Sequence, residues 1–159
     1  MSQQILSLGM SRLDIPRILE IEKASFGSPW TEAMFSDAVE GARGTLGCLA
    51  RTQNGKIIGY CIGQVVIEEV SIHRIVVDEG YRRQQAGRRL LQLLILKSTD
   101  RGARAAVLEV NENNLAARRL YETLGFSCVA RRPGYYTQPS SAALIYCHQR
   151  LLATEENGT

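Results

Sequence analysis

Three short stretches carry side chains that could do chemistry. The first, "VVDEGYRRQQAGRRLL" at residues 76–91, sets Arg82, Arg83, Arg88 and Arg89 around an Ala86-Gly87 step and then runs into leucines. The first turn of a helix offers unpaired N–H groups and the positive end of the dipole, so cations gather there unfavourably unless an anion joins them. A basic run is most often a solvated face. At a helix start it also suits a phosphate. The loop holds neither G-x-G-x-x-G nor G-K-[ST], which argues against a dinucleotide fold and a nucleoside-triphosphate loop.

The second stretch is "RAAVLEV", an apolar strand interrupted by Glu109. Alternation puts Glu109 on one face with Val107, and Ala106, Leu108 and Val110 on the other. A carboxylate at the end of such a strand tends to hold its proton more tightly and can act as a base near neutrality. It could equally be one half of a salt bridge, and the residues alone leave both readings open. The third stretch, "NNLAARRLYETLGF", carries Tyr121 between leucines, where a tyrosine either packs the core or serves as an acid. His73, on a strand, reads as a hydrogen-bonded packing residue or a catalytic one; it is expected on the face opposite Arg74 and Val76. Tyr135 and Tyr136, after Pro133-Gly134, could line a pocket or cap a sheet edge.

These residues need a scaffold, and 159 residues suffice for one domain with a core of its own. A single domain is expected over 1–152, followed by a polar, loose tail over 153–159. Apolar residues make up 45%, and the net charge of +3 neither requires nor excludes nucleic acid. Cys48, Cys61, Cys128 and Cys147 are scattered, with no C-x-x-C pair and no histidine at zinc-ligand spacing. They read as free thiols in a reducing compartment. No signal-like start is visible, and "LLQLLILK" is far too short to span a bilayer, so the expected location is cytoplasmic.

The elements alternate. Asp14 before Pro16 starts a helix carrying Ile15, Ile18, Leu19 and Glu22 at helical spacing, and Thr31 is the expected N-cap of a second. Asn54-Gly55 joins two strands in a hairpin, and "EEVSIHRIVV" forms a third strand leading into the arginine cluster. A largely buried helix spans Ala86 to Asp100, "RAAVLEV" follows as a strand, and Gly125 closes the next helix. Two strands near "SCVARRPGYY" and "AALIYCHQRL" end the domain, giving a mixed sheet covered by helices.

Taken together these stretches resemble the GNAT acetyltransferases, above all the RimI-type ribosomal-protein alanine N-acetyltransferases. "RRQQAG" is similar to the family's acetyl-CoA loop Q/R-x-x-G-x-G/A, "LEVNENNLAARRLYETLGF" follows a long family segment without a gap, and "SPWTEAMF" resembles its P-W-[ST]-x-x-x-F helix start. The resemblance implies an α/β (α+β) fold with a mostly antiparallel mixed sheet, flanked by helices and split in a V between its two central strands. It implies that backbone groups of Ile75, Val76 and Val77 bind the acetyl and pantetheine part of acetyl-CoA. The amides of Arg83, Gln84, Gln85, Ala86, Gly87 and Arg88 would wrap its pyrophosphate, and Asn114 would reach the CoA arm. Glu109 falls at the position of the base and Tyr121 at that of the acid that protonates the leaving thiolate. Trp30, Tyr135 and Tyr136 fall where the acceptor binds.

Direct transfer to an amine follows, with no cysteine intermediate and no metal. The implied acceptor is the N-terminal α-amine of a protein, ribosomal proteins among the candidates. A lysine side chain or small amine is the alternative, with Glu68, Glu69 and Asp78 as acids near the mouth, and a non-catalytic acetyl-CoA- or partner-binding domain is the third reading. Neither membrane nor nucleic acid is an expected partner. Two departures stand out: Gln85 replaces the loop's first glycine, and "PSSAAL" at 139–144 lacks the acidic pair frequent before the last strand.

Overall fold

A computed structural model describes residues 3–41, 43–137 and 139–151; the expected tail over 153–159 lies outside them. One sheet holds β1 (Ile5–Leu8), β2 (Thr45–Arg51), β3 (Ile57–Val66), β4 (Glu69–Val77), β5 (Ala105–Asn111), β6 (Ser127–Tyr136) and β7 (Ser141–His148). Their spatial order is β1-β2-β3-β4-β5-β7-β6. Only β4 with β5 is parallel among the described pairs, and it is bridged by α3 (Ala86–Asp100) as a parallel pair requires. The other helices are α1 (Ile15–Ser25), α2 (Glu32–Val39) and α4 (Leu115–Thr123).

Two cores sandwich the sheet. On one face Ile15, Ile18 and Ile21 of α1 and Phe35 of α2 pack on Leu49, Tyr60 and Ile62. On the other, Leu90, Leu91 and Leu94 of α3 and Tyr121 of α4 pack on Cys61, Val70, Ile72 and Leu108. The helix starts fall where local chemistry places them. Pro16 occupies the first turn of α1, and the Thr31 hydroxyl accepts from the Met34 amide at 3.3 Å. Gly125, at φ +94°, closes α4, and the Phe126 amide turns back to the Tyr121 carbonyl at 3.0 Å. A Cβ at Gly125 would stand 2.7 Å from Nε2 of His148, so a larger residue would have to displace that imidazole as well as adopt the left-handed φ.

The expected V-shaped split is present. β4 and β5 pair from Glu69–Ala105 to Ile72–Leu108, after which each runs on without the other. Two features depart from the sequence reading. The strand β1 was not expected; at four residues, with a serine inside, "ILSL" gives little signal and owes its conformation to pairing with β2. The face expected for His73 is also wrong. The β3–β4 register skips from Gly63–Ile72 to Ile62–Arg74, leaving His73 as the extra residue of a bulge. His73 and Arg74 therefore lie on one side of the sheet, both against Trp30, whose ring centroid is 6.4 Å from the His73 ring.

Candidate active site

The arginine-rich loop follows the 3-10 turn Glu79–Tyr81 and reaches α3 through two left-handed residues, Arg83 at φ +64° and Gln85 at φ +68°. That backbone path leaves the amides of residues 83–88 without a backbone acceptor among the described residues; the first to find one is Arg89, on the Gln85 carbonyl. Arg82 is tied to the Val77 carbonyl at 3.0 Å and Arg88 to the Thr123 hydroxyl at 3.0 Å. Arg83 and Arg89 have no ion-pair partner among the described residues. Gly87 is open, with Leu120 and Val77 no nearer than 3.7 Å to a Cβ placed on it. A row of free amides, a helix dipole and spare guanidiniums could hold a pyrophosphate.

Gln85 is, with Arg83, one of the two strained residues of this loop. A non-glycine residue in the left-handed region costs about 1–2 kcal/mol. Gln85→Gly should relieve that strain and, after the entropy glycine adds to the unfolded chain, raise stability by about 0.5–1 kcal/mol. Thermal unfolding without and with acetyl-CoA checks this; the variant should melt higher in both. A lower melting temperature would mean that the glutamine side chain itself holds the loop.

Beyond the split, a cleft of about 500 Å³ lies between β4 and β5, walled by Ser71, His73, Arg74, Val107, Glu109, Arg132, Tyr135 and Tyr136. Glu109 stands where alternation put it, opposite Ile145 of β7 and facing the cleft. The desolvated setting expected for its carboxylate is not found. Its side chain is 38% exposed and pairs with Arg132 at 3.2 Å, because the diverging strands leave that face of β5 open to water. The salt-bridge reading is thus met by Arg132. Tyr135 and Tyr136 stack edge to face at 5.1 Å on the opposite wall. Burial, then the charge of Glu109, pushes the Tyr136 phenol up.

The other wall rests on a buried ion pair that the sequence reading missed. Glu22 of α1 is fully buried; Tyr60 donates to its Oε2 at 2.6 Å, and Nε of Arg74 lies 2.8 Å from its Oε1. The Arg74 N–H is turned off the hydrogen-bond line, so the contact is Coulombic. Its guanidinium stacks 4.4 Å from the Phe26 centroid and 5.2 Å from that of Trp30. Trp30 consequently supports the wall from behind rather than lining the cleft. Burial, then the Arg74 charge, holds His73 below its ordinary value, which favours the neutral imidazole, and the residue lines the cleft.

Tyr121 is 5% exposed and packs against Phe126 and Tyr146 with centroids 6.0 and 6.1 Å away. Burial first, then Cys61 and Tyr136, pushes its phenol up, so it keeps its proton at neutral pH. It lies in the core that α3 and α4 build on the sheet, with Cys61 and Leu108. Asn114 caps α4 through Oδ1, which accepts from Ala117 at 3.2 Å, leaving its amide nitrogen to donate elsewhere. The edge of β4 at Ile75, Val76 and Val77 pairs with β3 on one side only. Among the described residues no group of three His, Cys, Asp or Glu is placed to hold a metal ion, and no helix is long and apolar enough to cross a membrane.

A split sheet with free amides at the start of α3 and a cleft that holds the carboxylate of Glu109 suits an acyl-CoA-dependent N-acetyltransferase. The acetyltransferase (GNAT) family model matches residues 15–126, and the chain belongs to that family, whose members use acetyl-CoA as donor. The [ribosomal protein bS18]-alanine N-acetyltransferase of Escherichia coli (strain K12) is 41% identical over 123 residues, covering 77% of this chain and 81% of the relative. The Haemophilus influenzae protein of the same name is 33% identical over 139 residues, 85% of this chain and 92% of that one. The crystal structure of the ribosomal-protein-S18-alanine N-acetyltransferase from Escherichia coli superposes with a TM-score of 0.82 at 35% identity, covering 92% and 93% of the two chains.

Proposed function

We propose that this chain transfers the acetyl group of acetyl-CoA to the N-terminal alanine of ribosomal protein bS18, by direct attack in a ternary complex. The observation that carries the reading is the split between β4 and β5, with free amides at the start of α3 and the cleft of Glu109 beside it, in a chain similar over most of its length to enzymes of that name. The free amides of residues 83–88 hold the pyrophosphate, and Asn114 supplies a donor to the arm. The unpaired edge of Ile75, Val76 and Val77 receives the pantetheine and acetyl carbonyl as an added strand.

An α-amine has a pKa near ~8 and attacks only when neutral, so the cleft must take up a proton. Glu109 draws the ammonium in and accepts its proton, directly or through water; the exposed side of the cleft provides the outlet. As the carbon–sulfur bond breaks, the protonated Tyr121 hydroxyl donates to the departing sulfur. Tyr135 and Tyr136 flank the peptide backbone.

Incubation with acetyl-CoA and a peptide of the bS18 N-terminus tests this. One acetyl on the alanine α-amine is expected, and the same peptide with a blocked N-terminus and free lysines should remain unmodified. Acetylation of the blocked peptide at lysine would replace the reading with side-chain acetylation. A Glu109→Gln variant should lose the acid limb of its pH–rate profile; if the limb persists, His73, its neutral form favoured in the same cleft, is the base.

A further inference from the structure

Resting on the reading of Tyr121 as the acid, we propose that Tyr146 is its positioning residue: the Tyr146 phenol, bridged between Arg118 and Glu122, fixes α4 on the sheet and so aims the Tyr121 hydroxyl. Tyr146 is fully buried on β7, and its register partner on β5 is Leu108, the residue before Glu109. Nε of Arg118 donates to the Tyr146 hydroxyl at 3.1 Å, and that hydroxyl donates to Oε1 of Glu122 at 2.8 Å. A guanidinium only donates and a carboxylate only accepts, so the hydroxyl proton has one place to go and the bridge has one direction. Nη1 of Arg118 also donates to the Glu112 carbonyl at 2.9 Å, ahead of α4.

The helix needs such a tie. It is 9 residues long, and Tyr121 is its one buried residue. A helix that short does not hold itself in water and depends on tertiary contacts. Arg118 and Glu122 stand four residues apart on one face of α4, one turn from each other. Both reach the same phenol, so α4 can neither slide nor roll without breaking one of the two bonds. The Tyr121 hydroxyl forms no hydrogen bond with the described residues. Its direction therefore comes from the seat of α4 and from ring packing on Phe126 and Tyr146, with centroids 6.0 and 6.1 Å away.

Tyr146 thus acts twice on its neighbour. Its hydroxyl holds the helix that carries Tyr121, and its ring flanks the Tyr121 ring. The base and the acid also come to share one frame. Glu109 pairs with Ile145 of β7, and the next residue of that strand, Tyr146, carries α4.

Steady-state rates with acetyl-CoA and a peptide of the bS18 N-terminus, measured for Tyr146→Phe, Tyr121→Phe and the double variant, test the proposal. Tyr146→Phe should lower kcat about three- to tenfold, since it loosens a positioned group rather than removing it. KM for either substrate should stay within about twofold. In the Tyr121→Phe background the same change should cost less than about twofold, because no hydroxyl is left to aim. Arg118→Met removes the donor and keeps the phenol; it should repeat the loss of kcat and add little to Tyr146→Phe. Melting temperatures confirm that each variant is folded, and if Tyr146→Phe does not fold, Arg118→Met in the two backgrounds decides in its place. An unchanged kcat, a loss of equal size in both backgrounds, or a change confined to KM overturns the proposal while leaving Tyr121 as the acid. Full activity of Tyr121→Phe overturns both together.

Discussion

Tyr121→Phe lowers turnover on the order of 10²-fold or more while the protein keeps its fold and its affinity for acetyl-CoA. The substitution removes one oxygen from a side chain 5% exposed among Phe126, Tyr146 and the α3 leucines. No hydrogen bond of that hydroxyl is formed with the described residues, so its loss strands no buried partner and stability should change little. What remains is chemistry. The phenol is pushed above its ordinary value by burial, whereas a thiol near ~8.5 holds its proton less firmly, so complete transfer to the leaving sulfur is uphill. Tyr121 then works chiefly as a hydrogen-bond donor to developing negative charge, which favours the lower part of the 10²–10⁴-fold range for general acids. Steady-state rates at saturating acetyl-CoA, with melting curves alongside, check this. An unchanged kcat removes Tyr121 from the reaction.

The largest effect on stability should come from Glu22→Ala. The carboxylate is fully buried and meets Tyr60 at 2.6 Å and Arg74 at 2.8 Å. Removing one partner of a buried pair costs about 3–5 kcal/mol, since the other charge stays behind without compensation. Arg74 is one-fifth exposed and can reach cleft water, which favours the lower figure. At roughly 2–4 °C per kcal/mol for a domain of this size, melting should fall by about 6–12 °C. Glu22→Gln keeps the volume and an acceptor for Tyr60, so it should lose less. Arg74, freed from Glu22, would also no longer hold its cleft wall, and KM for the acceptor should rise in either variant that folds. Equal melting of Glu22→Ala and wild type would show that the buried charge contributes nothing to the fold.

What the sequence made legible is what short-range chemistry decides. Pro16, Thr31 and Gly125 mark helix ends because caps and turns are satisfied within a few residues, and the leucine face of α3 announces its own burial. Glu109 could be assigned its strand face for the same reason. Gln85 was conspicuous by position, and the left-handed φ shows why glycine would be easier there. The rest depends on partners distant in the chain. The bulge at His73 is a property of the β3–β4 register, so alternation within β4 alone gave the wrong face. Glu22 stood out as an acid among isoleucines, but nothing local says that it meets Tyr60 and Arg74 on two strands. Arg132 likewise meets Glu109 only because β7 pairs with both β5 and β6. A buried-spaced acid on a helix, followed by an unexplained arginine on a core strand, is the signal that could have suggested the pair.

The most direct measurement is thiol release from acetyl-CoA by the purified protein, with and without a peptide bearing a free N-terminal alanine, combined with the intact mass of the enzyme. Thiol release that requires the peptide, one acetyl on its α-amine and no acetyl on the enzyme are the expected results for direct transfer in the split sheet. Failure of any such peptide to draw thiol from acetyl-CoA, or accumulation of an acetylated enzyme, would contradict it.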